Sequence, residues 1–301
     1  MPQSPNASEN VLAMLAGLIH DQTGLMFEPA RYDFLLDKVS PLAAERSCPT
    51  LLDYYYILKY DEKAEEEWLR LQTALAVNET YFWREFDQIR SVVDVIVPKL
   101  QKERPELPVR IWHAACATGE EPYTMAIALQ EAGRYLYGKI QIYATDFNQT
   151  ALAQAREGVY RQRSFRSIPA DVKERYFIPL RGQHSGEHAA DRFRLIDSIR
   201  ERVDFAYLNL LDENSMAGVG GYDIIMCRNA FIYFSDSAVR RVVDHFYQAI
   251  NDAGYLFVAS AESLLRVTNR FALMEIGGAF GYLKLPLLNG KQIIPTRRNG
   301  A

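Results

Sequence analysis

Cysteine is scarce and scattered in this chain. Cys48, Cys116 and Cys227 are the only three in 301 residues. An odd number without paired or ligand-like spacing argues against a disulfide scaffold and for a reducing compartment. Long apolar runs are missing too. None approaches the ~18 residues of a membrane span, and the start Met1-Pro-Gln-Ser-Pro-Asn6 has no export-signal pattern. The expected location is therefore the cytoplasm, with no membrane embedding. Positive charge is not in excess: 34 Lys and Arg face 38 Asp and Glu, a net charge of −4, where a nucleic-acid partner would want a basic face. His20, His113 and His245 stand alone. His184-Ser-Gly-Glu-His188 matches a zinc-protease pattern in letters only, because that chemistry needs both rings on one helical face and this segment reads as a polar loop. No metal site is expected, and no Ser-His-Asp or Cys-His set is present.

A glycine-rich phosphate loop is also missing, and what stands in its place is informative. Residues 109–125 read as a short buried strand, a tight turn of small residues and a helix start. Ala114, Ala115, Ala117 and Gly119 let a ligand approach the backbone, and Pro122 suits a first helical turn. A second apolar strand, 140–144, ends in Thr145-Asp146. An acid at the tip of the second strand of a βαβ unit grips ribose hydroxyls, and Asp146 lies 27 residues past Gly119. These features imply an adenosine-containing cofactor. A pyrophosphate needs several glycines at a positive helix start; here one glycine is followed by Glu120 and Glu121, which repel phosphate and favour a cationic ligand. S-adenosyl-L-methionine fits, having ribose hydroxyls, an ammonium and a sulfonium. The alternative for the two glutamates is simple complementation of a helix dipole.

The chain divides by pattern. Residues 1–90 read as a helical domain and linker: Val11, Leu12, Leu15, Leu18 and Ile19 recur at helical spacing, as do Tyr32, Leu35, Leu36, Val39 and Leu42, then Trp68, Leu71 and Leu75. Thr50 with Asp53 predicts a capping box. Residues 1–77 carry 6 Lys and Arg against 12 Asp and Glu, and the run 61–67 reads as a solvated acidic helix face. Strands and helices alternate over 91–286, the pattern of a doubly wound, Rossmann-like α/β sheet. Gly277-Gly278 joins the last two strands as a hairpin. The segment 176–203 breaks the alternation and predicts a small antiparallel β-insertion, and 287–301 reads as a mobile tail.

Polar residues gather at the expected sheet edge. Asn78-Glu-Thr-Tyr-Phe-Trp-Arg-Glu85 lies at the domain junction, Asn209-Leu210 follows one strand, and Cys227-Arg-Asn-Ala-Phe-Ile-Tyr-Phe234 follows another. Ligands of open α/β sheets bind at that edge. With Thr-Gly-Glu-Glu-Pro-Tyr at 118–123, these blocks resemble the chemotaxis receptor methyltransferases of the CheR type over roughly residues 10–285. The resemblance implies an S-adenosylmethionine-dependent protein-glutamate O-methyltransferase, leaving S-adenosyl-L-homocysteine as product. Its substrate would be glutamates on the cytoplasmic helices of methyl-accepting chemoreceptors, and a receptor C-terminal peptide would meet the β-insertion. It also implies that Asn78, Thr80, Arg84, Glu121, Asp146, Asn209, Leu210, Arg228 and Asn229 line the cofactor site, and that Arg84 and Tyr233 face the reacting methyl group. Tyr233 also reads as a core aromatic. Some family members carry a basic face on the N-terminal domain, whereas this one is acidic. A silent S-adenosylmethionine-sensing module, or a methyltransferase acting on another protein, shares the same cofactor residues.

Overall fold

The structure, a computed structural model, describes residues 9–77, 79–180 and 192–285 and the backbone of two short strands beyond them. Four helices come first: α1 (Glu9–Thr23), α2 (Tyr32–Glu45), α3 (Leu51–Tyr60) and α4 (Ala64–Leu75). Their apolar stripes meet in one core, with Leu15, Ile19, Leu35, Val39, Leu51, Tyr54 and Leu71 all buried. Each such side chain contributes about 1.5–3 kcal/mol. The capping box forms as expected: Thr50 accepts from the Asp53 N–H, and Asp53 accepts from the Thr50 N–H. One residue of the acidic run departs from a solvated face. Glu67 is buried, accepts the Tyr54 hydroxyl at 2.8 Å and pairs with Arg70 and Arg46. The shortage of other polar partners inside the bundle makes that compensation necessary.

Helices α5 (Phe86–Ser91) and α6 (Val97–Glu103), joined by a π-helical turn over Val92–Ile96, lead into the sheet. The chain then runs β1 (Val109–Ala114), α7 (Glu120–Glu131), β2 (Ile140–Asp146), α8 (Gln149–Glu157), β3 (Val159–Arg161), β4 (Phe177–Leu180), β5 (Arg192–Leu195), β6 (Val203–Tyr207), β7 (Tyr222–Met226), β8 (Ile250–Phe257), β9 (Phe271–Ile276) and β10 (Ala279–Lys284). Seven strands form the main sheet in the order β6-β2-β1-β7-β8-β10-β9. The first five are parallel, and β10 runs antiparallel to both its neighbours, so the predicted hairpin closes one end of the sheet. Alternate residues feed opposite cores. Ile111, Ile224 and Met226 pack with α5–α7, while Trp112, Ala114, Ile225 and Cys227 pack on the other face against Val242 and Phe246 of the helix Asp236–Ala249. Both faces are covered, which is why these strands read as near-continuous apolar runs.

A separate antiparallel sheet, β3-β5-β4, is the β-insertion. Its first strand lies at Val159–Arg161, before the 176–203 expected from sequence; three residues carry too little periodicity to read. The loop with His184 and His188 lies outside the described residues. In the stretch read as a tail, Leu287–Leu288 and Lys291–Gln292 pair as a short antiparallel ladder, and the rest lies outside the described residues. Among the described residues, no helix is long and apolar enough to cross a membrane. Strand order reverses at β1, between β2 and β7, and a crevice opens beyond the carboxyl ends of these strands.

Candidate active site

The turn after β1 is held in an unusual backbone shape. Ala115 (φ 59°), Ala117 (φ 48°) and Gly119 (φ 90°) all adopt the left-handed region, which costs a non-glycine residue about 1–2 kcal/mol. Asp146, at the tip of β2, offsets that strain. One carboxylate oxygen accepts the Ala117 N–H at 2.8 Å and the other accepts the Asn148 N–H at 2.8 Å. Asp146 is 6% exposed. Burial raises its carboxyl above the usual range, and the N–H donors temper that rise. Gly119 admits no side chain, since a Cβ there would meet the Ala155 Cβ at 2.9 Å and the Phe205 ring at 3.2 Å.

The two glutamates at the start of α7 part company. Glu120 is buried away from the crevice and accepts the Thr118 and Ser164 hydroxyls at 2.6 and 3.0 Å; burial raises its carboxyl. Glu121 lines the crevice. Its Oε1 lies 2.7 Å from His113 Nδ1 and its Oε2 lies 3.5 Å from Arg228 Nε. Burial works against its charge, but Arg228, His113 and Arg84 outweigh it and hold the carboxyl below the usual range. Only one of the predicted anionic pair therefore lines the crevice. Successive helical residues lie about 100° apart around the axis, so both could not face one site.

Arg228 is buried beside it. Its Nη2 donates to the Arg84 carbonyl at 2.6 Å, while Nε and Nη1 have no hydrogen-bond partner. Nε is turned to the Glu121 carboxylate as an ion pair, which leaves Nη1 as the buried donor in the crevice wall open to an anionic group of a ligand. Arg84 itself donates through Nη1 to the Glu79 carbonyl at 2.6 Å and lies over the Tyr81 ring. Trp83 (φ 66°) and Glu85 (φ 46°) on this segment are left-handed, as is Asn229 (φ 60°) after β7. Strain thus concentrates around one crevice, as it does at functional sites.

The helical region supplies the facing wall. The Met26 N–H donates to the Tyr233 carbonyl at 2.9 Å, Leu25 pairs with Phe234, and the Ser235 N–H donates to the Gly24 carbonyl at 3.2 Å. Asn209 spends its side chain on this junction, donating to the Gln22 carbonyl and accepting from the Leu211 N–H. The crevice holds about 1240 Å³ of space, its open mouth included. Thr80, Arg84, Glu121, Asp146, Asn209, Leu210, Arg228, Asn229 and Tyr233 all line it, whereas Asn78 lies outside the described residues. Met26, Phe27, Arg31 and Phe34 also line it and were not legible as site residues. Phe27 and Phe34 stack at 6.2 Å, with the Arg31 guanidinium 5.6 and 5.5 Å from the two rings. None of the three belongs to the helical stripes read from the sequence, and Phe27 lies between helices. No cluster of three or more metal-ligating side chains occurs among the described residues.

Comparison with known proteins agrees with this arrangement. Residues 78–279, about two thirds of the chain, match the family model described as CheR methyltransferase, SAM binding domain. The chain is 32% identical to chemotaxis protein methyltransferase 2 of Vibrio cholerae over 266 residues, covering 88% of this chain and 89% of that protein. It is 32% identical to chemotaxis protein methyltransferase 2 of Pseudomonas aeruginosa, covering 71% and 73%. It is 27% identical to the chemotaxis protein methyltransferase of Escherichia coli, covering 86% of each. The region matched by the family model takes in the Asn78–Glu85 segment, the Gly119 turn, Asp146 and the Arg228–Tyr233 loop, and the 266 residues matched by the Vibrio cholerae protein reach beyond it. The chain belongs to the CheR family of chemotaxis methyltransferases.

Proposed function

We propose that the crevice binds S-adenosyl-L-methionine and that the protein transfers its methyl group to glutamate side chains on the cytoplasmic helices of chemoreceptors. The observation that carries this reading is the convergence of two acceptors and an unsatisfied guanidinium donor on one crevice. Asp146 would take the ribose hydroxyls, Glu121 the ammonium, and the free Nη1 of Arg228 the carboxylate of an amino acid. Thr80, Asn209, Leu210 and Asn229 complete the wall. The ionised Glu121 would repel a phosphate, which favours a sulfonium cofactor over a dinucleotide.

The cofactor, when bound, supplies an electrophilic methyl group on sulfur. A glutamate side chain is ionised at neutral pH, so it needs no general base. What remains is to strip water from the carboxylate and aim it in line with the methyl–sulfur bond. Arg84 is suited to orient the carboxylate, and the Tyr233 hydroxyl to hydrogen-bond beside the methyl group. The helical wall at Phe27 and Phe34 excludes water from that end. A receptor C-terminal peptide at the β3-β5-β4 sheet belongs to the same reading, supported by β4 as an outer strand with Ile178 56% exposed.

Incubation with labelled S-adenosyl-L-methionine and membranes containing the cognate receptors tests the proposal. Base-labile label on a receptor is expected. Tight cofactor binding without transfer to any receptor would instead make the chain a sensing module.

A further inference from the structure

Behind the loop that carries Asn229 and Tyr233 sits a carboxylate that the reaction does not use. Glu262 follows β8 and turns back beneath the loop after β7. Its Oε1 accepts the N–H groups of Phe231 at 2.8 Å and Ile232 at 3.3 Å, and its Oε2 accepts those of Asn229 at 3.1 Å and Ala259 at 2.9 Å. Three of the four donors belong to one short segment. That segment begins with Asn229 in the left-handed region and ends in the 3-10 turn Phe231–Tyr233. A single turn with a strained residue has little intrinsic stability, and charge-assisted bonds from one carboxylate are the strong kind. Glu262 does not line the crevice, whereas Asn229, Ala230 and Tyr233 do.

A second carboxylate secures the other side of the same turn. Glu85 accepts the Ser260 N–H at 3.1 Å and lies 3.9 Å from Arg228 Nη2. The 259–262 turn therefore anchors both the Arg84–Glu85 segment and the Asn229–Tyr233 segment.

We propose that Glu262 is a positioning residue: its carboxylate holds the Asn229–Tyr233 loop in the shape the crevice requires and so acts on methyl transfer without touching cofactor or substrate. The transfer half of this statement rests on the function proposed above; the loop half does not.

Glu262→Gln in the full-length protein separates the two halves. Glutamine keeps the volume but turns an NH2 group toward two N–H donors, so at least two of the four bonds are lost. Amide hydrogen exchange is expected to rise at least tenfold at Asn229, Phe231 and Ile232 and to stay unchanged in β1 and β2. Turnover with receptor membranes is expected to fall at least tenfold through Tyr233, with a smaller rise in the KM for cofactor through Asn229. Glu262→Asp, which keeps the charge but shortens the reach, is expected to fall between. If Glu262→Gln does not fold, Glu262→Asp carries the same measurements. Unchanged exchange at the three amides overturns the proposal, as does faster exchange with full turnover. Should the wild-type protein itself transfer no methyl group, the proposed function fails, and amide exchange still decides whether Glu262 holds the loop.

Discussion

The two walls of the crevice are built differently. On the sheet side, Asp146, Glu121 and Arg228 are largely buried, and each is tied to backbone or to an opposite charge. On the helical side, Met26, Phe27, Arg31 and Phe34 present apolar surface and a cation resting on aromatic rings, with Met26 42% exposed. The first wall is rigid because its polar groups emerge from strand ends and from a turn whose left-handed residues have no slack. The second is joined to the sheet by a few bonds, among them His20 to the Ser235 hydroxyl at 2.7 Å. Fixed polar groups suit a ligand that is always the same, since preorganisation lowers the cost of binding it. On the proposed function, an aromatic wall attached by few bonds suits a substrate that varies from receptor to receptor.

The largest effect that would break this contrast is expected at Arg228. Its side chain is fully buried and faces Glu121. Arg228→Ala leaves that carboxylate without its main partner and is expected to cost about 3–5 kcal/mol of stability. Urea denaturation measures it; a loss below about 1 kcal/mol would mean that the pair is as weak as a surface one.

Arg84→Ala is expected to cut turnover about a hundredfold, the scale of a misplaced reacting group, while cofactor affinity changes little. Lysine should rescue poorly, because a point charge does not reproduce a planar fork. Steady-state kinetics beside calorimetry distinguish this from a cofactor clamp, for which binding and activity would fall together.

At Asp146, substitution by alanine removes the ribose acceptor and the hold on Ala117, with an expected loss of about 1.5–3 kcal/mol in cofactor binding. The same residue predicts a pH dependence. Burial raises its carboxyl, and on the proposed function it is the ionised form that would accept the ribose hydroxyls. Affinity is therefore flat above the raised pKa and declines by about tenfold per pH unit below it. Glu121 is held low and stays ionised through that window. Calorimetry across the acid range should show this limb, and Asp146→Asn should abolish it; a limb that survives in the variant belongs to another group.

The smallest effect sharpens the contrast from the other side. Arg31→Ala on the helical wall is expected to change cofactor affinity by no more than about 0.5 kcal/mol while raising the KM for receptor. Equal effects on cofactor and receptor would show that the walls are not divided in labour.

Much of this protein was determined by its sequence alone, and the reason is local. Strands buried on both faces read as apolar runs, the single glycine at 119 marked the turn, and the acid ending the second strand fell beside that turn because βαβ geometry brings those two points together. Thr50 and Asp53 capped their helix as spacing alone requires. Other features were decided only by tertiary structure. Which of Glu120 and Glu121 meets the crevice depends on how α7 is rotated against the sheet. Glu67 left its solvated face because Tyr54 and Arg46 reach it from other parts of the bundle and Arg70 joins them from one turn along its own helix. Val159–Arg161 became a strand only because β5 supplied a partner. The Glu262 clamp joins residues about thirty apart in the chain, and Phe27, Arg31 and Phe34, though close in sequence, become a crevice wall only when the helical region meets the sheet; no period or spacing records a contact made only when the chain folds.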